Sequence, residues 1–461
     1  MSKEKKKKGS NPLAFYGETF VKGDLLTKLS FIIMGLSNLL RGQIVKGLIY
    51  LSMEFGFIFY MGVFGASAVA SLRTLGTKKQ GMAFDATLGY DVMQKGDNSM
   101  LLLLYGVLSV IIIILFIIMW CKNIHAAYES QLLKEKGERL PNFIDDIKEH
   151  FDAKLHKTML FFPMLGILIF TIAPIIFMIL MAFTNFDKDH QVPGNLFTWV
   201  GFENFRTMLF SGETIAKTFW PVLGWTIIWA IFATALNYIF GMLLAMLINR
   251  KGVRCKGLFR TIFVISIAVP SFVSLLIVRN MLNDDGPINV LLANLHIIKD
   301  AQHGIHFLSE PLLARITVIV VNLWVGIPYT MLITTGILMN IPEDLYESAK
   351  IDGARPATMY FKITLPYMLF VTGPYLITQF IGNINNFNVI YFLTNGNPAT
   401  LDYYQAGKTD LLVTWLYKLT VNWKDYSYAS TIGVLVFIVS AIFALISYNF
   451  TSANRNEGDF S

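Results

Sequence analysis

Ile341-Pro342-Glu343-Asp344-Leu345-Tyr346-Glu347-Ser348-Ala349-Lys350-Ile351-Asp352-Gly353-Ala354-Arg355-Pro356, closing on Lys362-Ile363-Thr364-Leu365-Pro366, is a polar, small-residue stretch in a chain that is 54% hydrophobic and 15% charged. Apolar segments flank it on both sides, so a chain housed in a membrane must leave it here and return. Pro342 suits a first helical position, and Glu343 and Asp344 fall in the first turn, where carboxylates favour the helix dipole. Gly353 is a natural stop, and Pro356 opens a second short helix. Leu345, Ala349 and Gly353 stand at i, i+4 and i+8, a face that narrows to nothing and lets another surface approach. Glu347 and Lys350 remain beside it for charged contacts. An ordinary solvated loop is the alternative for a polar hairpin.

Around this loop the chain reads as an all-α, polytopic membrane protein. Apolar runs of about 20 residues recur, each enough to cross a hydrocarbon core of roughly 30 Å. About eight transmembrane helices are expected, at 47–67, 100–120, 159–183, 222–248, 261–283, 313–337, 367–388 and 429–449. With both termini cytoplasmic, inside segments hold about 25 Lys and Arg against about 11 outside, over nearly equal lengths. The densest inside run is Arg250-Lys251-Gly252-Val253-Arg254-Cys255-Lys256. The same orientation places 341–366 in the cytoplasm. Residues 25–40, with Leu25, Leu29, Ile32, Ile33, Leu36 and Leu40 along one helical face, are too short for a comfortable span and predict an interfacial amphipathic helix. The organisation expected is a cytoplasmic and interfacial segment 1–46, two accessory spans in 47–120, and a charged connector 121–158, helical around Pro141. A six-helix core 159–449 containing the loop 341–366 follows, then a cytoplasmic tail 450–461.

Several other functions are excluded by the residues themselves. Cys121 and Cys255 are the only cysteines, too few for a disulfide framework. The lysine-rich start is not followed by a short apolar region with a cleavage site, so no signal peptide is expected. The net charge of +7 tracks one side of the membrane without an aromatic–basic module, which argues against nucleic acid. Gly407-Lys408-Thr409 imitates a phosphate-binding loop, but Asp402 stands where the glycine is needed, so any ATP must be handled by a partner. His303 and His306 lack further ligands, and no metal site is expected. Glu54 is a candidate buried acid in the first span, for which an interhelical hydrogen bond is the expectation. Arg279 is expected to snorkel.

Polar groups inside a span usually face a cavity or the bundle interior. The sixth span carries Val321-Asn322-Leu323-Trp324-Val325-Gly326-Ile327-Pro328-Tyr329, where Pro328 and Gly326 predict a kink. The seventh ends Gly382-Asn383-Ile384-Asn385-Asn386-Phe387-Asn388, and the fifth contains Pro270 and Ser271. Amides match hydroxyls in both senses and aromatic faces cover sugar rings, so the set suits a sugar. Helix–helix hydrogen bonding is the alternative, and for Ser271 alone the preferred one.

Glu347 and Ala349 ahead of Gly353, nine intervening residues, then Ile363, Leu365 and Pro366: this spacing resembles the cytoplasmic coupling loop of membrane subunits of binding-protein-dependent ABC importers. From about 159 to 449 the chain is similar to the larger membrane subunit of the maltose/maltodextrin importers. Phe183-Thr184-Asn185-Phe186, Trp199-Val200-Gly201, Glu203-Asn204-Phe205, Ala268-Val269-Pro270-Ser271-Phe272, Asn385-Asn386-Phe387, Leu393-Thr394-Asn395-Gly396 and Tyr404-Gln405-Ala406-Gly407 carry the likeness. The resemblance implies a type I ABC importer permease fold and transport by alternating access, without enzymatic activity or a cofactor in this chain. Its implied partners are a second homologous permease subunit, an ATPase pair that binds ATP and Mg, an extracytoplasmic sugar-binding protein, an oligosaccharide substrate and membrane lipid. Glu347, Ala349, Asp352 and Gly353 become the ATPase-docking residues. Ser271, Asn322, Val325, Gly326, Tyr329, Gly382, Asn383 and Asn386 become the sugar contacts. Ile267 and Gly382 stand where the family has aromatics and Val325 where it has a leucine, which implies a wider site or longer oligosaccharides. The loop 184–218 lacks a large extracytoplasmic insertion. Another oligosaccharide, raffinose-type included, remains open as substrate. So does an ion-coupled secondary transporter with Glu54 as proton carrier; a membrane enzyme lacks any acid, base or metal cluster.

Overall fold

The computed structural model describes residues 12–450, apart from 86, 193, 251 and 301–303. The amino-terminal lysine run, His303 and residues 451–461 lie outside the described residues. Six of the described helices are long and apolar enough to cross a membrane: Ile44–Ser71, Ser99–Glu135, Leu155–Met181, Thr214–Asn249, Pro311–Leu338 and Tyr426–Asn449. A bent pair, Lys256–Ala268 with Ser271–Met281, makes a seventh. The helix Leu365–Ile384 has 20 residues, about 30 Å at 1.5 Å per residue. Its Pro366, Pro374, Gln379 and Asn383 make it more polar than the six, so it matches the seventh expected span, 367–388, by length alone. The chain divides into two compact units, residues 1–180 with 189–199, and residues 181–188 with 200–461.

In the first unit, residues 25–40 do not form the single amphipathic helix expected. They form two five-residue helices, Leu25–Leu29 and Leu36–Leu40, with Gly35 between them at φ 78°. A side chain at Gly35 would strike the backbone of Gly47. The fold of this segment follows from where its backbone groups find partners. Asn123 accepts from the Gly35 N–H at 2.8 Å and donates to the Ser30 carbonyl at 2.9 Å, while Trp120 donates to the Phe31 carbonyl at 2.9 Å. Glu54, half-buried rather than buried, accepts the N–H of Met34 at 2.8 Å, a turn residue and not a neighbouring helix as expected. Arg41 is buried, pairs with Asp24 at 2.7 Å and donates to the Ala127 carbonyl. Leu25, Ile32 and Leu40 are exposed instead. Polar groups inside and apolar groups outside is the polarity of a segment surrounded by lipid.

These polar partners also explain why the second span overshoots its expected end. Ser99–Glu135 runs 37 residues, about 55 Å, well beyond a hydrocarbon core of roughly 30 Å. Its last turns bury Asn123, Ala127, Ser130 and Gln131, the last two bonded to Gln43 and to the Asp24 N–H. The connector then turns at Pro141. Asn142 caps the helix Phe143–Phe151 through a reciprocal pair of bonds with Asp145.

The second unit is organised around Thr214–Asn249 and Pro311–Leu338. Gly241 and Gly326 let these helices close up: a methyl at Gly241 would strike Thr330, and one at Gly326 would strike Asn237. Trp225 and Trp229 are buried and each donates across the unit, to the Thr409 and Asn383 carbonyls at 3.1 Å. Tyr238 meets Thr372 at 2.8 Å.

Candidate functional site

The fifth span, expected over 261–283 with Pro270 inside it, is broken. Lys256–Ala268 and Ser271–Met281 meet at 87°. Val269 and Pro270 between them are extended, with ψ 124° and 125°. Proline lacks an N–H and pushes the residue before it out of the helical region, so Pro270 ends one helix and starts another. The break leaves helix-end carbonyls and N–H groups without intrahelical partners. Val273 recovers one by donating to the Pro270 carbonyl at 3.0 Å. Irregular backbone inside a membrane span persists where it is buried in protein or lines a polar cavity.

This break forms one wall of a cavity of about 580 Å³. Ser266 through Ser271 line that wall, with Ile267 where the resemblance implies an aromatic. Pro311–Leu338 contributes Asn322, Trp324, Val325, Gly326 and Tyr329; Leu365–Ile384 contributes Gln379 and Asn383; Asn386 and Asn237 complete it. Of the residues carried over as sugar contacts, Ser271, Asn322, Val325, Gly326, Tyr329, Asn383 and Asn386 therefore come together. Gly382 does not line the cavity and is exposed, with open space where its side chain would stand. It precedes Asn383 on a helix, and one residue turns the side chain by about 100°.

The asparagines are not equivalent. The seventh helix ends at Ile384 rather than 388, and Asn386 caps the next helix, Phe387–Leu393, by accepting the Val389 N–H at 3.2 Å. Asn383 donates to Thr234 at 3.0 Å, and Asn385 to the Ile381 carbonyl at 3.1 Å. Much of the cluster is thus accounted for by a helix end. Asn322 is different: it is 3% exposed, and its Nδ2 has no hydrogen-bond partner. Asn237 Oδ1 is buried without a partner as well. Sequence reasoning passed over Asn237, although a lone amide deep in a 36-residue apolar helix carried the signal. The helix Pro311–Leu338 continues through Pro328, and Thr330 donates to the Gly326 carbonyl at 3.1 Å one turn back.

The loop 341–366 forms two helical pieces, with one difference from expectation. Pro342 is the extended residue before the helix, with ψ 128°, and Glu343–Ile351 follows it. At the far end Ala354 donates to the Ala349 carbonyl at 2.9 Å and Gly353 to Lys350 at 3.0 Å, with Gly353 at φ 77°. That is a Schellman stop, in which the left-handed residue is the glycine. Pro356–Met359 opens the return and runs through a π-helical turn into Leu365–Ile384. Tyr346 meets Thr364 at 2.9 Å and ties the two arms together. Leu345, Glu347, Asp352 and Gly353 are exposed and Ala349 is half-buried. Ile351, which the sequence reading did not single out, is 86% exposed.

Comparison with known proteins agrees with this geometry. The model of the family described as binding-protein-dependent transport system inner membrane component matches residues 237–453. The maltodextrin transport system permease protein MdxF of Bacillus subtilis is 33% identical over 444 residues, 95% of this chain and 98% of its own length. The chain belongs to this family. As an importer permease it is a transport component of the membrane, not an enzyme. The galactooligosaccharides transport system permease protein GanP of B. subtilis is 34% identical over 92% of this chain and 97% of its own length. The maltose/maltodextrin permease protein MalF of Escherichia coli is 36% identical over 272 residues, 58% of this chain and 52% of its own length. A chain of a bacterial alginate ABC transporter, solved with a pentasaccharide-bound periplasmic protein, shares the fold. Its TM-score is 0.52 at 24% identity, over 66% of this chain and 95% of that one.

Proposed function

We propose that this permease carries maltodextrin-type oligosaccharides across the cell membrane by ATP-driven alternating access. The observation that carries the reading is the amide-lined cavity at the broken span, in a chain whose near full-length relatives are named for oligosaccharide transport. Amides supply both donors and acceptors to sugar hydroxyls, and Tyr329 supplies an aromatic face. The proposed sugar contacts are Ser271, Asn322, Val325, Gly326, Tyr329, Asn383 and Asn386.

Both termini and the loop 341–366 are assigned to the cytoplasm, as the charge asymmetry favours. There Glu347, Ala349, Asp352 and Gly353 dock on an ATPase pair that binds ATP and Mg. Closure of that pair rotates the helices as rigid bodies about the sugar cavity. A second permease subunit and an extracytoplasmic sugar-binding protein complete the importer. Galactooligosaccharides are the second reading, favoured by the identity to GanP. An ion-coupled mechanism is disfavoured because Glu54 is engaged with the Met34 N–H. Uptake of maltodextrins and galactooligosaccharides by cells carrying the complete importer tests the assignment. Saturable maltodextrin import that requires the ATPase is expected. Import of galactooligosaccharides alone transfers the substrate, and import without the ATPase overturns the mechanism.

A further inference from the structure

Asn237 belongs to the cavity but to none of the segments from which sugar contacts were carried over. Its Oδ1 is cut off from water and accepts no hydrogen bond, and Asn322 Nδ2 in the same cavity donates none. An unsatisfied buried polar group costs about 1–3 kcal/mol, so two of them lining one cavity require an explanation. Helix–helix bonding does not supply it, because neither orphaned atom is bonded to the other or to anything else in the protein. Asn383 and Asn386 spend both of their groups within the protein: Asn383 donates to Thr234 and accepts from Asn386 at 3.4 Å, and Asn386 also accepts the Val389 N–H. Asn237 and Asn322 make no side-chain hydrogen bond, so each amide keeps both a donor and an acceptor. Gly326 makes this possible, since any side chain there would occupy the place of the Asn237 amide.

We propose that Asn237 is a sugar-binding residue that acts with Asn322 on ligand hydroxyls. Both atoms are closed to solvent in this conformation, so the amides turn toward the cavity on binding: Asn237 Oδ1 accepts from one hydroxyl, and Asn322 Nδ2 donates to the same or an adjacent one. A hydroxyl both donates and accepts, so it meets both orphaned groups. This inference rests on the sugar-import function proposed above.

The test uses the complete importer in proteoliposomes, with its receptor saturated, and reads sugar moved and ATP hydrolysed together. Wild type must first import a neutral oligosaccharide; failure there removes the proposed function and is distinct from failure of this inference. Asn237→Leu is expected to lower sugar moved per ATP by about tenfold, the loss when a bond to a buried partner goes unmade. ATP hydrolysis stays near wild type and Asn237→Gln restores part of the import, whereas a purely structural role lowers import and hydrolysis alike. Unchanged import in Asn237→Leu overturns the inference. The structure of the wild-type importer holding maltotriose decides independently of any variant. A hydroxyl within hydrogen-bond distance of Asn237 Oδ1 supports the inference, and a bound sugar that leaves Asn237 untouched overturns it.

Discussion

A methyl group on Gly326 would collide with the Asn237 amide, so this glycine sets what the cavity presents to a ligand. Gly326→Ala is expected to cost about 1–3 kcal/mol by overpacking, read as a lower Tm of the purified permease complex, and to reduce import. An unchanged Tm would mean that the two helices do not approach as closely as described. Asn322→Leu should separate stability from function. Replacing an amide that lacks a partner with an apolar side chain of similar size removes a desolvation penalty. Tm is expected to hold or rise while import falls; a fall in Tm would mean that Asn322 is satisfied by the protein. Asn322 was legible in the sequence as an amide inside an apolar run. Gly382 lies off the cavity, and matching positions to a family says nothing of how this helix is rotated. Asn237 was missed because it is a single residue outside the quoted motifs.

Two prolines in the middle of spans had opposite consequences, and the sequence did not distinguish them. At Pro270 the chain stays extended for two residues and turns by 87°, whereas the helix runs on through Pro328. Pro270→Ala removes the local bar to a continuous helix. Labels on Ser266 and Ser274 should then show a longer separation by spin–spin distance measurement, with loss of import; an unchanged distance would mean that the packing, not the proline, makes the break. The loop 394–425 depends on a different kind of contact. Asp410 is fully buried, pairs with Lys418 at 2.7 Å and accepts the Gly407 N–H at 2.7 Å. Burial pushes its carboxyl up, against the pull of the Lys418 ammonium and the hydrogen bonds it accepts. Asp410→Asn strands a largely buried cation and is expected to cost about 3–5 kcal/mol. Asp410→Asn with Lys418→Met should recover part of that loss in Tm. The helix Glu343–Ile351, by contrast, was readable almost to the residue, because its stop is local chemistry at Gly353. Only Pro342 fell one position outside, and the exposed Ile351 went unnoticed because it lies off the small-residue face.

At the scale of the molecule, apolar runs, loop spacing and positive charge were enough to read an all-helical membrane permease. They did not reveal the inverted segment 25–40, whose buried polar side depends on residues about 90 positions away, such as Asn123 and Ser130. The continuity of cavity and loop was legible, because the loop was placed between the two spans that carry most of the carried-over contacts: Pro311–Leu338 leads into the loop, and the loop leads into Leu365–Ile384. Both helices line the cavity, so a force on the loop acts on two of its walls. The central claim is that this connection couples ATP hydrolysis to sugar movement. It is tested most directly by maltodextrin uptake into proteoliposomes containing the full importer, with wild type beside Glu347→Ala and beside wild type lacking the ATPase. The account predicts ATP-dependent uptake in wild type, its loss without the ATPase, and loss of both ATPase association and uptake in Glu347→Ala. Uptake that persists without the ATPase, or at the wild-type rate in Glu347→Ala, would contradict it.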